Sequence, residues 1–160
     1  MKTTITRLLT ATSLALALSH SFAADTSPSP AAAAPDKLAA ARAQIADKKW
    51  AAAIDALKSV NDTASADWNN LMGYSLRKAK TPDYAGAEKF YNDALRIDPK
   101  HRGALEYSGE LYLMLGDLPK AEQRLAVLDK VCNLGCEEYT DLKNAVARFK
   151  AAGNKYVAAP

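Results

Sequence analysis

Cys132 and Cys136 are the two cysteines of the chain, and their thiols are the side chains with the clearest capacity for chemistry. Three residues separate them, whereas the redox motif of thioredoxin-type proteins has two residues between its cysteines. Two thiolates also leave a zinc site incomplete, because structural zinc ions take four protein ligands. We therefore interpret the pair as a structural disulfide. Thiol–disulfide exchange or copper handling by the same sulfurs stays open as the alternative.

The other reactive side chains form no catalytic pattern. His101 comes at the start of a predicted helix, and no Ser or Cys close to it in the sequence would complete a charge-relay arrangement. Glu137 and Glu138 open another predicted helix, where the helix dipole favours acidic residues. No glycine-rich loop follows a predicted strand, so the common nucleotide-binding motifs are missing. We predict a protein that is not an enzyme and has no metal ion or cofactor.

The N-terminal segment has the order of a secretory signal peptide. Two positive charges come first, an apolar run covers residues 8–18, and small residues lead up to Ala23. The apolar run is shorter than the roughly 20 residues that span a bilayer. We predict a signal peptide over residues 1–23, with cleavage after Ala23 or Ala24, and export to a bacterial periplasm. Such an oxidising compartment favours the disulfide interpretation.

Signal cleavage would change the charge of the protein. The full chain has 21 Lys and Arg against 18 Asp and Glu, and Lys2 and Arg7 would leave with the signal peptide, so the mature chain is close to neutral. This balance argues against a nucleic-acid partner, which requires a broad cationic surface. Residues 24–35 are rich in Pro, Ala and Ser and read as a linker. No later segment is long and apolar enough to span a membrane, so we expect no membrane insertion after cleavage.

Four columns of residues recur with a period of 34 in three segments of the remaining chain. Within each segment the columns are large, small, large and apolar at steps of three, four and three residues, which is one face of a helix. The small column lets a neighbouring helix approach closely. In column order they are Trp50, Tyr84 and Leu118; Ala53, Ala87 and Ala121; Leu57, Tyr91 and Leu125; and Val60, Ala94 and Leu128.

A second predicted helix precedes each of these segments, and the resulting 34-residue helix-turn-helix unit resembles the tetratricopeptide repeat (TPR). The third unit fits best, with Leu105, Ser108, Gly109 and Tyr112 at the spacing of that family. The likeness to small exported bacterial TPR proteins implies an all-α helical solenoid. We predict about three repeats followed by a C-terminal capping helix, within a domain covering residues 36–152.

The second unit departs from the family pattern in its leading helix. Trp68 comes three residues early relative to Ala87, and Gly73 falls one place past the family's glycine. We attribute the difference to an insertion in the turn of residues 80–83. Residues 153–160 are expected to form a flexible tail.

The TPR resemblance implies a protein-binding adaptor or assembly factor that holds a partner segment in a concave groove lined by the leading helices. Mapping the groove positions of the family onto this chain predicts Arg42, Asn69, Gly73, Arg77, Glu106 and Glu110 as groove residues. Alternatively, this set forms only a solvated helix face. The expected partner is a protein or peptide, and self-association through an end of the stack is a further alternative.

Overall fold

The computed structural model describes residues 35–133 and 135–158 of the chain. These residues form seven α-helices and no strand, which confirms the all-helical prediction. In chain order the helices are α1 Ala39–Ala46, α2 Trp50–Val60, α3 Ala66–Lys78, α4 Tyr84–Ile97, α5 Arg102–Met114, α6 Leu118–Val131 and α7 Glu137–Ala151. The predicted signal peptide and nearly all of the predicted linker lie outside the described residues.

The helices pack as three consecutive pairs, α1 with α2, α3 with α4 and α5 with α6, and α7 packs against α5 and α6. Each second helix also contacts the leading helix of the next unit. The architecture is therefore a TPR-type helical repeat, as the columns predicted. Among the helices of the described residues, none has the length and apolar character needed to cross a membrane.

Polar side chains at the helix starts explain where several helices begin. Ser65 accepts a hydrogen bond from the backbone N–H of Trp68 at the start of α3. Asp83 and Asp117 do the same for α4 and α6. Such caps satisfy backbone N–H groups that have no partner within the helix, and each contributes about 1 kcal/mol.

The leading helix of the second unit has a different register from the one that the sequence predicted. Helices α3 and α5 both have 13 residues, and α5 starts 36 residues after α3, whereas α6 starts 34 residues after α4. The turn before α4 has five residues, 79–83, and the turn before α6 has three, 115–117. The insertion is thus two residues and not three, and Gly73 is the structural equivalent of Gly109.

Both glycines lie where helices approach most closely. A Cβ atom on Gly73 would lie 2.8 Å from Cε1 of Tyr91 in α4, and one on Gly109 would lie 2.5 Å from Cδ2 of Leu142 in α7. A larger residue at either place would push two helices apart. Gly73 is therefore at the glycine position of its repeat, which corrects the one-residue offset in the sequence alignment.

Helix α7 completes the hydrophobic core at the C-terminal end. Leu142, Val146 and Phe149 are buried in one cluster with Leu105 and Leu128 of the third pair. The helix therefore covers the apolar face that the third repeat would otherwise expose, which is the role of a cap in a solenoid.

The leading helices and the second helices are spaced differently. Helix α1 contacts α3, α3 contacts α5, and α5 contacts the capping helix α7. In contrast, no Cα atoms of α2, α4 and α6 come within 8 Å of one another in the described chain. A depression of about 550 Å³ separates α2 from α4 and is lined by Ile54, Trp68 and Phe90 among others. The leading helices are therefore on the inner side of the stack.

Candidate functional site

The corrected register shifts the expected groove residues of α3 by one place. The positions equivalent to Glu106, Glu110 and Met114 of α5 are Asn70, Tyr74 and Lys78. In an α-helix, one residue corresponds to a rotation of about 100°. Asn69, Gly73 and Arg77, which the sequence predicted for this face, are therefore rotated by about 100° from the groove positions. We use the term inner face for the surface formed by Arg42, Asn70, Tyr74, Lys78, Glu106, Tyr107 and Glu110.

Asn69 holds the chain that leads into α3. Its Nδ2 atom donates hydrogen bonds to the backbone oxygens of Thr63 and Ser65, at 2.9 and 2.8 Å, and the residue is buried. Because both donors of the amide are engaged, Asn69 has little capacity left for a partner. Gly73 faces α4, as described above, and contributes no side chain to the inner face.

Arg77 and Glu110 are brought together, but as partners of each other. Nη1 of Arg77 lies 2.8 Å from Oε2 of Glu110, and the Arg77 side chain is only 3% exposed. The guanidinium also lies 5.5 Å from the ring centroids of both Tyr74 and Tyr107. Burial lowers the pKa of Arg77, but the neighbouring Tyr91 and Glu110 raise it more, so the guanidinium stays charged. This cation joins α3 to α5.

Arg42 lies at the other end of the inner face and is exposed. Its guanidinium pairs with Asp67 at 3.1 Å and with Asp36 at 3.4 Å. Asp67 also contacts Nε2 of His101 at 2.9 Å, while Nδ1 of His101 accepts the backbone N–H of Ala104. Burial raises the pKa of Asp67, but contacts with His101 and Arg42 lower it by more. The net pKa is lowered, so the carboxylate is held in the charged form.

Glu106 differs from the other predicted groove residues because it has no partner. It is 8% exposed, and within the described residues no hydrogen bond or ion pair reaches its carboxylate. Burial, and then the carboxylates of Glu110, Asp141 and Glu138, raise the pKa of Glu106 to about 8. Asp141 and Glu138 belong to α7, which was predicted only as a capping helix.

Two tyrosines of the inner face were not predicted. The rings of Tyr74 and Tyr107 are tilted against each other with centroids 4.6 Å apart, and both are partly exposed. Trp50 meets Tyr74 edge to face at 5.8 Å. Tyr74 was missed because the groove positions of α3 were assigned one residue too early. Tyr107 was missed because it follows the groove position of Glu106 and is not itself one of the family's groove positions. Aromatic side chains of this kind are common contact residues in protein interfaces.

The Sγ atoms of Cys132 and Cys136 lie 2.07 Å apart, which is the distance of a disulfide bond. The bond joins the end of α6 to the start of α7, where Cys136 is the N-cap and its Sγ accepts the backbone N–H of Tyr139 at 3.4 Å. Among the residues that the structure describes, no group of three or more acids, histidines and cysteines is placed to hold a metal ion.

Comparison with known proteins gives a family match and matches to solved structures. A family model described as tetratricopeptide repeat matches residues 80–132. The fold is similar to the crystal structure of the Yersinia enterocolitica type III secretion chaperone SycD in complex with a peptide of the translocator YopD, with a TM-score of 0.59 and 19% sequence identity. That match covers 72% of this chain and 88% of the other. No curated protein sequence matches. Together with the paired helices, these findings show that the chain has a helical repeat fold of the tetratricopeptide type.

Proposed function

We propose that the protein is an exported adaptor or assembly factor that binds an extended or helical segment of a partner protein on its inner face. The observation that carries this proposal is the partly exposed aromatic pair of Tyr74 and Tyr107 beside the unpartnered carboxylate of Glu106. An interface requires anchoring aromatic groups together with polar groups that can still accept bonds. The inner face has both.

The known structure with a similar fold supports this mode of action, because SycD is described there in complex with a peptide. At 19% identity the likeness extends to the fold, and the identity of the partner does not transfer. The groups described above include no nucleophile paired with a base, which also favours binding over catalysis.

Export is part of the proposal. It rests on the signal-like order of residues 1–23 and on the bond between Cys132 and Cys136, since disulfides persist in oxidising compartments. Fractionation of the native host, followed by mass determination of the mature N-terminus, would test it. A chain that keeps residues 1–23 and stays in the cytoplasm would contradict export.

The partner can be found by photo-crosslinking from the inner face. A benzophenone amino acid at Lys78, which is exposed at the end of α3, should capture the partner, whereas the same group at Asp129 on exposed α6 should not. The purified partner should then bind the Tyr74→Ala variant at least about tenfold more weakly than the wild type, the loss expected for an interface anchor. Equal affinity would place the interface elsewhere.

A second candidate function is thiol–disulfide exchange by the cysteine pair. The observation that favours it is the hydrogen bond from the Tyr139 N–H to Cys136 Sγ at the start of α7. Helix N-termini lower the pKa of a cysteine thiol, which makes it a better leaving group. If the purified protein catalyses the reduction of insulin disulfides, this function gains support; an inactive protein would leave the pair a structural role.

A further inference from the structure

We propose that the recess around Glu106 on the inner face binds a cationic side chain, lysine or arginine, of the partner segment. This inference rests on the proposed function and specifies the chemistry of the segment. We use the term recess for the surroundings of Glu106: Glu110 of α5 and Glu138 and Asp141 of α7, whose charges act on it, and Asn70 of α3, which lies against the start of α5.

The first argument is the burial of an unpaired carboxylate. Glu106 is more than nine-tenths buried, yet within the described chain it has no hydrogen-bond donor and no cation. A carboxylate in such a place is unfavourable unless it is paired. Its side chain nevertheless remains accessible from the inner face, since neither carboxylate oxygen is fully enclosed. A ligand can therefore supply the missing charge.

The second argument is that the nearby cations are already engaged. Arg77, whose charge reaches Glu106, is paired with Glu110 at 2.8 Å. Arg102 is paired with Glu138 at 3.5 Å. Asp141 is exposed and forms no ion pair within the described residues. The recess therefore has an excess of negative charge that the fold does not neutralise.

The third argument is an independent one, from Asn70. The residue is 6% exposed, and its buried Oδ1 atom has no hydrogen-bond partner in the described structure. Its Nδ2 atom lies 3.1 Å from the place where Gly103 would carry a Cβ atom, and Gly103 is one turn before Glu106 on α5. An unsatisfied buried amide oxygen of this kind costs about 1–3 kcal/mol.

Glu106 decides the class of ligand, because a cation beside it would favour the ionised carboxylate, which only accepts hydrogen bonds. An ammonium group offers three N–H donors and no acceptor, and a guanidinium offers five. One such group could donate to the Glu106 carboxylate, whose oxygens are not fully enclosed, and would bring the counter-charge that Glu106 lacks. A neutral or acidic side chain would leave the carboxylate unpaired or repel it. A basic residue in an otherwise apolar segment thus matches the recess and the adjacent tyrosines.

The test uses three nine-residue peptides that share one apolar sequence and carry lysine, norleucine or glutamate at the central position. Each is titrated into the ¹⁵N-labelled mature protein, and affinity is read from amide shifts in α3, α5 and α7. The variants are Glu106→Gln, which keeps the shape of the side chain and removes its charge, and Asp129→Asn, a matched change on the exposed face of α6. Glutamine at 106 cannot ionise and so avoids the cost of a buried charge at any pH, and that variant should remain folded.

We expect the lysine peptide to bind at least tenfold more tightly than the norleucine peptide, with the difference lost in Glu106→Gln and kept in Asp129→Asn. Equal binding of the lysine and norleucine peptides would overturn the cation site while leaving the inner face as a groove. If no peptide shifts the inner-face amides, both proposals fail. The C-terminal tail is a competing occupant, since the charges of Glu110 and Arg77 act on Tyr156. If Glu106→Gln shifts only the amide signals of Lys155 and Tyr156, the chain's own tail occupies the recess, and the proposal is wrong.

Discussion

The guanidinium of Arg77 donates to the carboxylate of Glu110 across 2.8 Å, and the pair joins two leading helices from different repeats. Between Tyr74 and Tyr107, the cation is almost completely removed from water. Two repeats are therefore held in one relative orientation by a polar contact in addition to apolar packing.

Replacing Arg77 by methionine should destabilise the protein by about 3 kcal/mol, because Glu110 would remain beside Glu106 without its counter-charge. Urea unfolding followed by circular dichroism would measure the change. The double variant Arg77→Met/Glu110→Leu should recover most of the loss, since no unpaired charge remains. If the double variant is as unstable as the single one, the ion pair is not the cause.

The titration of Glu106 predicts an unusual pH dependence of stability. Its pKa is about 8 in the folded chain, above the ordinary value of a carboxyl group, because of burial and neighbouring acids. The folded state therefore binds the proton more tightly than the unfolded state, so the free energy of unfolding falls as the pH rises from about 5 to about 8.

Glu106→Gln should flatten this slope and make the protein more stable than the wild type above pH 8, by about 1–3 kcal/mol. Urea unfolding at a series of pH values would show the difference, with Asp129→Asn as the control that should follow the wild type. A wild-type protein whose stability rises over this pH range would contradict the assignment.

The two adjacent asparagines of α3 provide a test of the register. Asn69→Ala should lower the stability by about 1–2 kcal/mol, because the backbone oxygens of Thr63 and Ser65 lose their donor. Asn70→Ala should change stability little, since its Oδ1 is already without a partner. The reverse pattern would restore the register expected from the sequence.

Gly73→Ala should destabilise the protein by about 1–3 kcal/mol, because the added methyl group meets the fully buried ring of Tyr91. Gly103→Ala is a suitable control, because its nearest neighbour is the amide end of Asn70. There the gain in helix propensity offsets a small displacement, and we expect little net change. Thermal unfolding of both variants would compare them.

Replacing both cysteines by serine should lower stability by about 2 kcal/mol, which is the loop-entropy estimate for so short a ring. Serine at position 136 retains an oxygen that can cap α7, so the change isolates the covalent bond. Affinity for the partner should stay unchanged in the folded variant. A complete loss of partner capture at undiminished stability would instead support the thiol-exchange function.

The sequence predicted the second helices well because their columns at Trp50, Tyr84 and Leu118 keep one spacing. The groove positions of α3 were assigned one residue too early, because the length of a turn insertion leaves no periodic signal in the sequence. With Trp68 as the reference, Gly73 looked displaced, and the helix starts together with its contact with Tyr91 fix the register.

The acidic recess could not be predicted for a related reason. Glu138 and Asp141 lie in a helix that continues no column of the repeat, so nothing in the spacing placed them beside Glu106. The burial of Glu106 likewise depends on how α5 and α7 pack together. Its position in the predicted groove followed from the family pattern, but its missing partner is a property of the folded chain.

The unequal spacing of the two helix layers has a mechanical consequence. The inner helices touch one another, whereas the outer helices α2 and α4 are separated by the depression that Ile54, Trp68 and Phe90 line. Bending the stack changes distances most at its outer side, and there few backbone contacts resist the movement. A change in curvature that moves α2 relative to α4 therefore meets less resistance than one that separates the inner helices.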